Sequence, residues 1–202
     1  MPKIVLASAS PSRARLLRSA GLEPTIEVSG VDEEDPRFLR LTPRELVIAL
    51  AIVKAHTIKS KIDYPAIVIG CDSTFEFEGQ SLGKPETAER AMERAKSLRG
   101  KFGILHTGHC IIDTEKEIEI SDVESTKVFF EEMSDREIED YVATGEPLQV
   151  AGGFTLDGLS APFIRRVEGE TSNVIGLSLP LVKRAISSLG YEWFDLVTAS
   201  RG

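Results

Sequence analysis

Four apolar residues, Ala66 to Ile69, run without interruption into Gly70-Cys71-Asp72-Ser73. A run that is apolar on both sides belongs in a sheet covered on both faces, so the chain must build layers of helix around a buried central strand. Asp72 follows these four apolar residues and a Gly, which puts it at the carboxyl end of the strand, where open α/β sheets hold their ligands. A carboxylate there can bind a divalent cation or take a proton from attacking water. The competing reading is an Asp that only caps the following turn.

The rest of the chain fits that architecture. Lys3 to Ala7 reads as a strand, Ser8 to Ser10 as a turn, and Pro11 as the start of a helix that carries Leu16, Leu17 and Ala20 and stops at Gly21. Thr25 to Val28 is a candidate second strand, and Gly30 to Pro36 an acidic turn. Thr42-Pro43-Arg44-Glu45 is a capping box for a helix that reaches about Lys59, with Leu46, Leu50 and Val53 expected inward. A helix over Glu86 to Leu98 precedes two long strands, Gly103 to Asp113 and Glu117 to Phe130, which read as a hairpin. Ser134 and Glu137 form a second capping box, whose helix stops at Gly145. A Gly-rich stretch to Pro162, a strand at Phe163 to Val167 and a helix from Pro180 to Gly190 complete the chain. Strands and helices mix without strict alternation, so the expected fold is α/β with a mixed central sheet flanked by helices, two lobes around a cleft, in a single domain over residues 1–202.

Charge narrows the function. The 202 residues carry a net charge of -8, which argues against a nucleic acid polymer as partner. A small anion remains a possible ligand, because local cations override the global sign and a metal ion shields it. No apolar run is long enough for a membrane span, and Cys71 and Cys110 both lie in apolar stretches, so a cytoplasmic protein with buried free thiols is expected.

Four further segments carry candidate chemistry. The turn holding Ser8 and Ser10 opens a helix, whose N-terminal N–H groups attract anions, and Arg13 adds a guanidinium that can grip a phosphate bidentately. A serine cap and a solvated Arg are the plainer reading. Lys84, between Gly83 and Pro85, is an ammonium on a stiff turn, or an ordinary surface lysine. Glu33 in the acidic turn would supply a second carboxylate for a hard cation held with Asp72. Lys54 falls on or beside the buried face of its helix and needs an anion, which Glu33 alone could be. His106 and His109 are three apart on a strand, point to opposite faces and read as structural. There is no Walker A sequence, and Ser8 and Ser10 lack partners for a triad.

Read in order, LASASPSRARLL, Lys54, GCDS, LGKP, HTGH, SDREIEDYVATGEPLQVAG and NVIGLSLPL resemble the Maf family of nucleoside triphosphate pyrophosphatases over nearly the whole chain. That resemblance implies an inosine triphosphate pyrophosphatase-like fold and hydrolysis of a nucleoside triphosphate to monophosphate and pyrophosphate. It implies Asp72 as general base and Ser8, Arg13, Glu33, Lys54 and Lys84 around the triphosphate and a magnesium or manganese ion. It also implies a homodimer, with the Gly-rich stretch closing over the base, and a role in nucleotide-pool sanitation or cell-division arrest. The alternative reading is a nucleotide-binding regulator with little turnover. Ser12, Ser73 and Asp157 depart from the pyrimidine-specific pattern of the family, which makes them candidates for base specificity.

Overall fold

A computed structural model describes residues 1–199. Seven strands form one mixed sheet: β1 (Lys3–Leu6), β2 (Thr25–Ile26), β3 (Ala66–Phe77), β4 (Gln80–Leu82), β5 (Phe102–Asp113), β6 (Ile118–Phe130) and β7 (Ile164–Glu168). Their order is β2-β1-β3-β5-β6-β7, with β4 beside β3. β1 is parallel to β2 and β3, and the other pairs are antiparallel. The helices are α1 (Pro11–Ser19), α2 (Pro43–Lys59), α3 (Ala88–Leu98), α4 (Asp135–Ala143), α5 (Thr171–Ile175), α6 (Leu179–Ser188) and α7 (Trp193–Ala199). Among the described residues, no helix is long and apolar enough to cross a membrane.

The expected mixed α/β sheet is present, and both capping boxes form, at Thr42 with Glu45 and at Ser134 with Glu137. Several boundaries differ from expectation. β2 stops at Ile26, and Val28 is exposed. The short α5 and α7 and the three residues of β4 have too little periodicity to stand out in the sequence.

The inward face of α2 is also different. Leu50 is buried as expected, but Leu46 and Val53 are only half-buried, and the face that meets the sheet is Val47, Leu50, Ala51, Lys54, Ala55 and Ile58. Two glycines explain the rotation. A Cβ on Gly70 would lie 2.3 Å from the Ala51 carbonyl oxygen, and one on Gly108 would lie 2.2 Å from that of Val47. Contact that close draws the small-residue face of the helix onto the sheet and turns the larger side chains aside.

β3 is the largest correction. It does not stop at Ile69 but continues to Phe77, paired with β5 from Ile67 to Glu76. Its other edge changes partner. β1 pairs with it at Ala66–Ile69, β4 pairs with it at Phe75–Phe77, and among the described residues no strand covers Gly70 to Thr74 between them. Asp72 therefore lies in mid-strand, opposite a break in the sheet just past the end of β1.

Distinct cores pack at the two ends of the long strands. Around β1 and the first half of β3, Leu6, Ile67, Ile69 and Cys71 pack with α1, α6 and α7 on one face. Val5, Val68, Cys110 and Ile112 pack under α2 on the other. At the far end Phe75, Phe130 and Phe154 meet edge to face, with ring centroids 4.9–5.9 Å apart. Each such ring contributes about 1.5–3 kcal/mol by burial.

Candidate active site

The break in the sheet collects most of the residues singled out from the sequence. Asp72 alternates with Ala66, Val68 and Gly70 along β3, so its side chain emerges on the α2 face. Lys54 reaches it there, with Nζ 2.6 Å from Asp72 Oδ1 and 2.5 Å from Glu33 Oε1. Lys54 and Asp72 are 7% and 8% exposed, whereas the Glu33 side chain is 56% exposed. The lysine on the inward face of α2 thus has two anions, not Glu33 alone. Burial pushes the Asp72 carboxyl above the usual range, and the Lys54 and Arg13 charges oppose that rise. Asp72 Oδ2 and Glu33 Oε2 have no hydrogen-bond partner among the described residues. The donor set open to a cation is therefore two carboxylate oxygens, suited to a hard ion that keeps water and substrate oxygens in its remaining positions. No group of three or more His, Cys, Asp or Glu that could hold a metal occurs among the described residues.

Arg13 and Ser73 lie on the opposite face. The Arg13 guanidinium is buried and donates to the Gly176 carbonyl through Nε at 2.7 Å, to Ser8 Oγ and the Cys71 carbonyl through Nη1 at 2.9 and 3.0 Å, and to Ser73 Oγ through Nη2 at 2.9 Å. A guanidinium has five N–H groups. Four are taken here, so the bidentate grip on a phosphate expected from the sequence is not available in this arrangement. Arg13 instead fills the uncovered edge of β3 and ties it to the turn after α5. Ser73 also meets Thr107 Oγ1 at 2.9 Å, and that hydroxyl donates to the Asn173 carbonyl at 3.2 Å.

The turn before α1 is left open to an anion. Ser10 occupies the N-cap position, but its side chain makes no capping bond. The plain serine cap is thus absent, and the backbone N–H groups of Ser12 and Arg13 find no acceptor among the described residues. Ser8 Oγ accepts from Arg13 and from the Ser10 N–H at 3.2 Å, which leaves its own proton to donate.

Across the break, Phe75 opposes Leu82, and the antiparallel course carries the chain back toward Ser73 as it reaches Gly83 and Lys84. Lys84 is exposed, and its ammonium has no partner among the described residues. Its turn is fixed by the Gly83 carbonyl, which accepts from the Gly152 N–H at 3.2 Å and from Arg94 Nη1 at 2.5 Å.

Of the specificity candidates, Ser73 lies in the break, while Ser12 and Asp157 meet on the outer side of α1. They meet through Arg15, which pairs with Asp157 and reaches Ser12 Oγ at 3.4 Å. Sequence reasoning passed over Arg15, whose partner is 142 residues away. It also passed over buried Asn173, whose Nδ2 donates to the Leu105 carbonyl and to Thr126 Oγ1. The NVIG segment was the one signal that could have pointed to it. His106 bonds Ser125 and Glu76, whereas His109 Nε2 accepts from the Ser178 N–H at 2.9 Å. The two rings serve opposite faces and do not converge. Burial pushes His109 down to about 3, so the ring is neutral.

These features define an α/β protein with a charged site at a break between two strand pairings. The particular family follows from comparison: the family model described as Maf-like protein matches residues 3–189, and the chain belongs to that family. It is similar to the nucleoside triphosphate pyrophosphatase of Streptomyces coelicolor, with 53% identity over 93% of this chain and 91% of the relative. The protein of the same name from Salinispora tropica is 47% identical over 93% of this chain and 84% of its own length. That of Nostoc punctiforme is 44% identical over 96% and 98%.

Proposed function

We propose that the chain is a nucleoside triphosphate pyrophosphatase, with Asp72 as the base that activates water. The observation that carries this is the buried Asp72 carboxylate held 2.6 Å from the Lys54 ammonium, next along β3 to the Cys71 carbonyl that Arg13 binds from α1, a helix whose N-terminal N–H groups are unspent. Lys54 favours the ionised form of Asp72 against burial, which favours the protonated one, and a carboxylate of raised pKa is a stronger base.

The triphosphate lies along the break in this reading. The Ser12 and Arg13 N–H groups and the Ser8 and Ser10 hydroxyls donate to its oxygens from one bank, and the Lys84 ammonium neutralises it from the other. Asp72 accepts a proton from water as the water oxygen bonds to the α-phosphorus. The α–β anhydride bond breaks, and pyrophosphate leaves with its electron pair. Asp72 and Glu33 would hold the magnesium or manganese ion, whose chemistry there is to offset charge and polarise the phosphorus.

The separate cores at the two ends of the long strands support one domain of two lobes over the described residues 1–199; residues 200–202 of the expected 1–202 span lie outside them. The free, buried Cys71 and Cys110 accord with a cytoplasmic protein. A homodimer and a role in nucleotide-pool sanitation rest on likeness to the family.

The test is a panel of canonical and modified nucleoside triphosphates with magnesium or manganese, with pyrophosphate and orthophosphate read separately. Pyrophosphate release that falls by orders of magnitude in Asp72→Asn is expected. Orthophosphate alone would make the protein a phosphatase. Nucleotide binding without either product would make it a regulator.

A further inference from the structure

The stretch from Gly152 to Ser160 loops out from the Lys84 bank of the break, and its tip at Asp157 reaches α1 on the other. It begins at the Gly83 carbonyl beside Lys84, where Gly152 takes a φ of +74° and presses against Phe75. Phe154 then anchors it in the aromatic cluster. Its far end is knotted onto Glu146, which accepts from the Leu159 and Ser160 N–H groups at 3.0 and 3.3 Å. Ser160 Oγ closes the knot by bonding both the N–H and the carbonyl of Thr155 at 2.8 Å.

Between these anchors, Asp157 pairs with Arg15 on α1. The Thr155 hydroxyl donates to Asp157 Oδ1 at 2.5 Å, which aims the carboxylate, and Arg15 is braced by Ser12 in the first turn of α1. No other hydrogen bond or ion pair joins residues 152–160 to α1 among the described residues. The pair is also solvated, with side chains 62% and 28% exposed. Ion pairs of that kind are weak and break readily. A weak pair between two firmly anchored ends is suited to opening and closing, because the rest of the stretch keeps its place when the pair breaks.

We propose that Arg15 and Asp157 are a charge-pair latch that closes this stretch across the first turn of α1 and so holds the nucleotide and narrows the choice of base. The latch acts on the nucleotide site and rests on the function proposed above. It is a positioning device with no bond to Asp72, so its loss loosens binding and leaves the chemical step alone.

The test compares the wild type with Arg15→Ala, Asp157→Ala, the double alanine variant and the charge-reversed pair R15D/D157R. The first readout is hydrogen–deuterium exchange over residues 154–160 without nucleotide. Each single variant should speed exchange there, the double variant should be no faster than either, and charge reversal should restore protection. The second readout is pyrophosphate release from the nucleotide panel. Each single variant should raise KM about threefold to fivefold, the range an exposed ion pair can supply, with kcat within about twofold and weaker discrimination between bases. Unchanged or additive exchange overturns the latch, as does a fall in kcat at constant KM. If the wild type releases no pyrophosphate, the enzymatic reading fails while the exchange data still decide the latch.

Discussion

Replacing Lys54 with Met removes the ammonium that lies 2.6 Å from Asp72, and the consequence depends on pH in a calculable direction. Burial already raises the Asp72 pKa, and Lys54 is the largest influence opposing it. Without the lysine, burial is opposed mainly by Arg13. Losing one partner of a buried pair costs about 3–5 kcal/mol. The lower figure applies, because Glu33 is half-solvated and Asp72 can escape by taking a proton. The folded-state pKa of this carboxyl is above the unfolded one, so the folded protein binds more protons between the two values. The penalty for burying the charge is complete above the folded pKa, shrinks as pH falls through it, and vanishes below the ordinary carboxyl range. Urea unfolding of Lys54→Met should therefore show a deficit of about 3 kcal/mol at pH 8 that shrinks as the pH is lowered toward 5. The acid limb of its pH–rate profile should move to higher pH. Adding Asp72→Asn should remove the pH dependence of the deficit. An equal deficit at both pH values, together with an unmoved acid limb, would refute the claim that Lys54 keeps Asp72 charged.

Three other perturbations follow. Gly108→Ala places a Cβ 2.2 Å from the Val47 carbonyl oxygen, so thermal or urea unfolding should reveal a loss of about 2–3 kcal/mol as α2 is pushed off the sheet. His109 has a folded pKa of about 3 against an ordinary 6.5, so the folded state binds fewer protons between them and loses stability as pH falls through that window. The slope is roughly 1.4 kcal/mol per pH unit, and urea titrations of His109→Gln should show it flattened. Ser10→Ala should change stability by less than about 0.5 kcal/mol, because its hydroxyl caps nothing, yet should raise KM for nucleotide in steady-state assays.

What could be read from the sequence was what neighbouring residues decide. The capping boxes at Thr42 and Ser134 involve partners three residues apart, and both helices start where those boxes place them. Asp72 was found because a buried strand flanks it. The apolar run stops at Ile69, so the strand looks shorter than it is; in the fold Gly70 is a gap within it that receives α2. The inward face of the helix was misjudged for the same reason, since side-chain size says nothing of two glycines on the opposing sheet. Arg13 looked like a free guanidinium because the Cys71, Ser73 and Gly176 acceptors come from strands and turns far along the chain. Arg15 and Asp157 were illegible as a pair on the same grounds.

The uncovered edge of β3 has one more consequence. Unpaired backbone inside a sheet is a template on which a foreign strand can add, and proteins usually blunt such edges with charge or cover. Arg13 is that cover, since it occupies the Cys71 carbonyl and fills the opening with a cation. A chain that lost this side chain would expose a sticky seam beside its most apolar strand. Self-association, visible as light scattering during refolding, would then accompany any loss of turnover. The side chain that ties the break together would then also be the one that keeps other chains out.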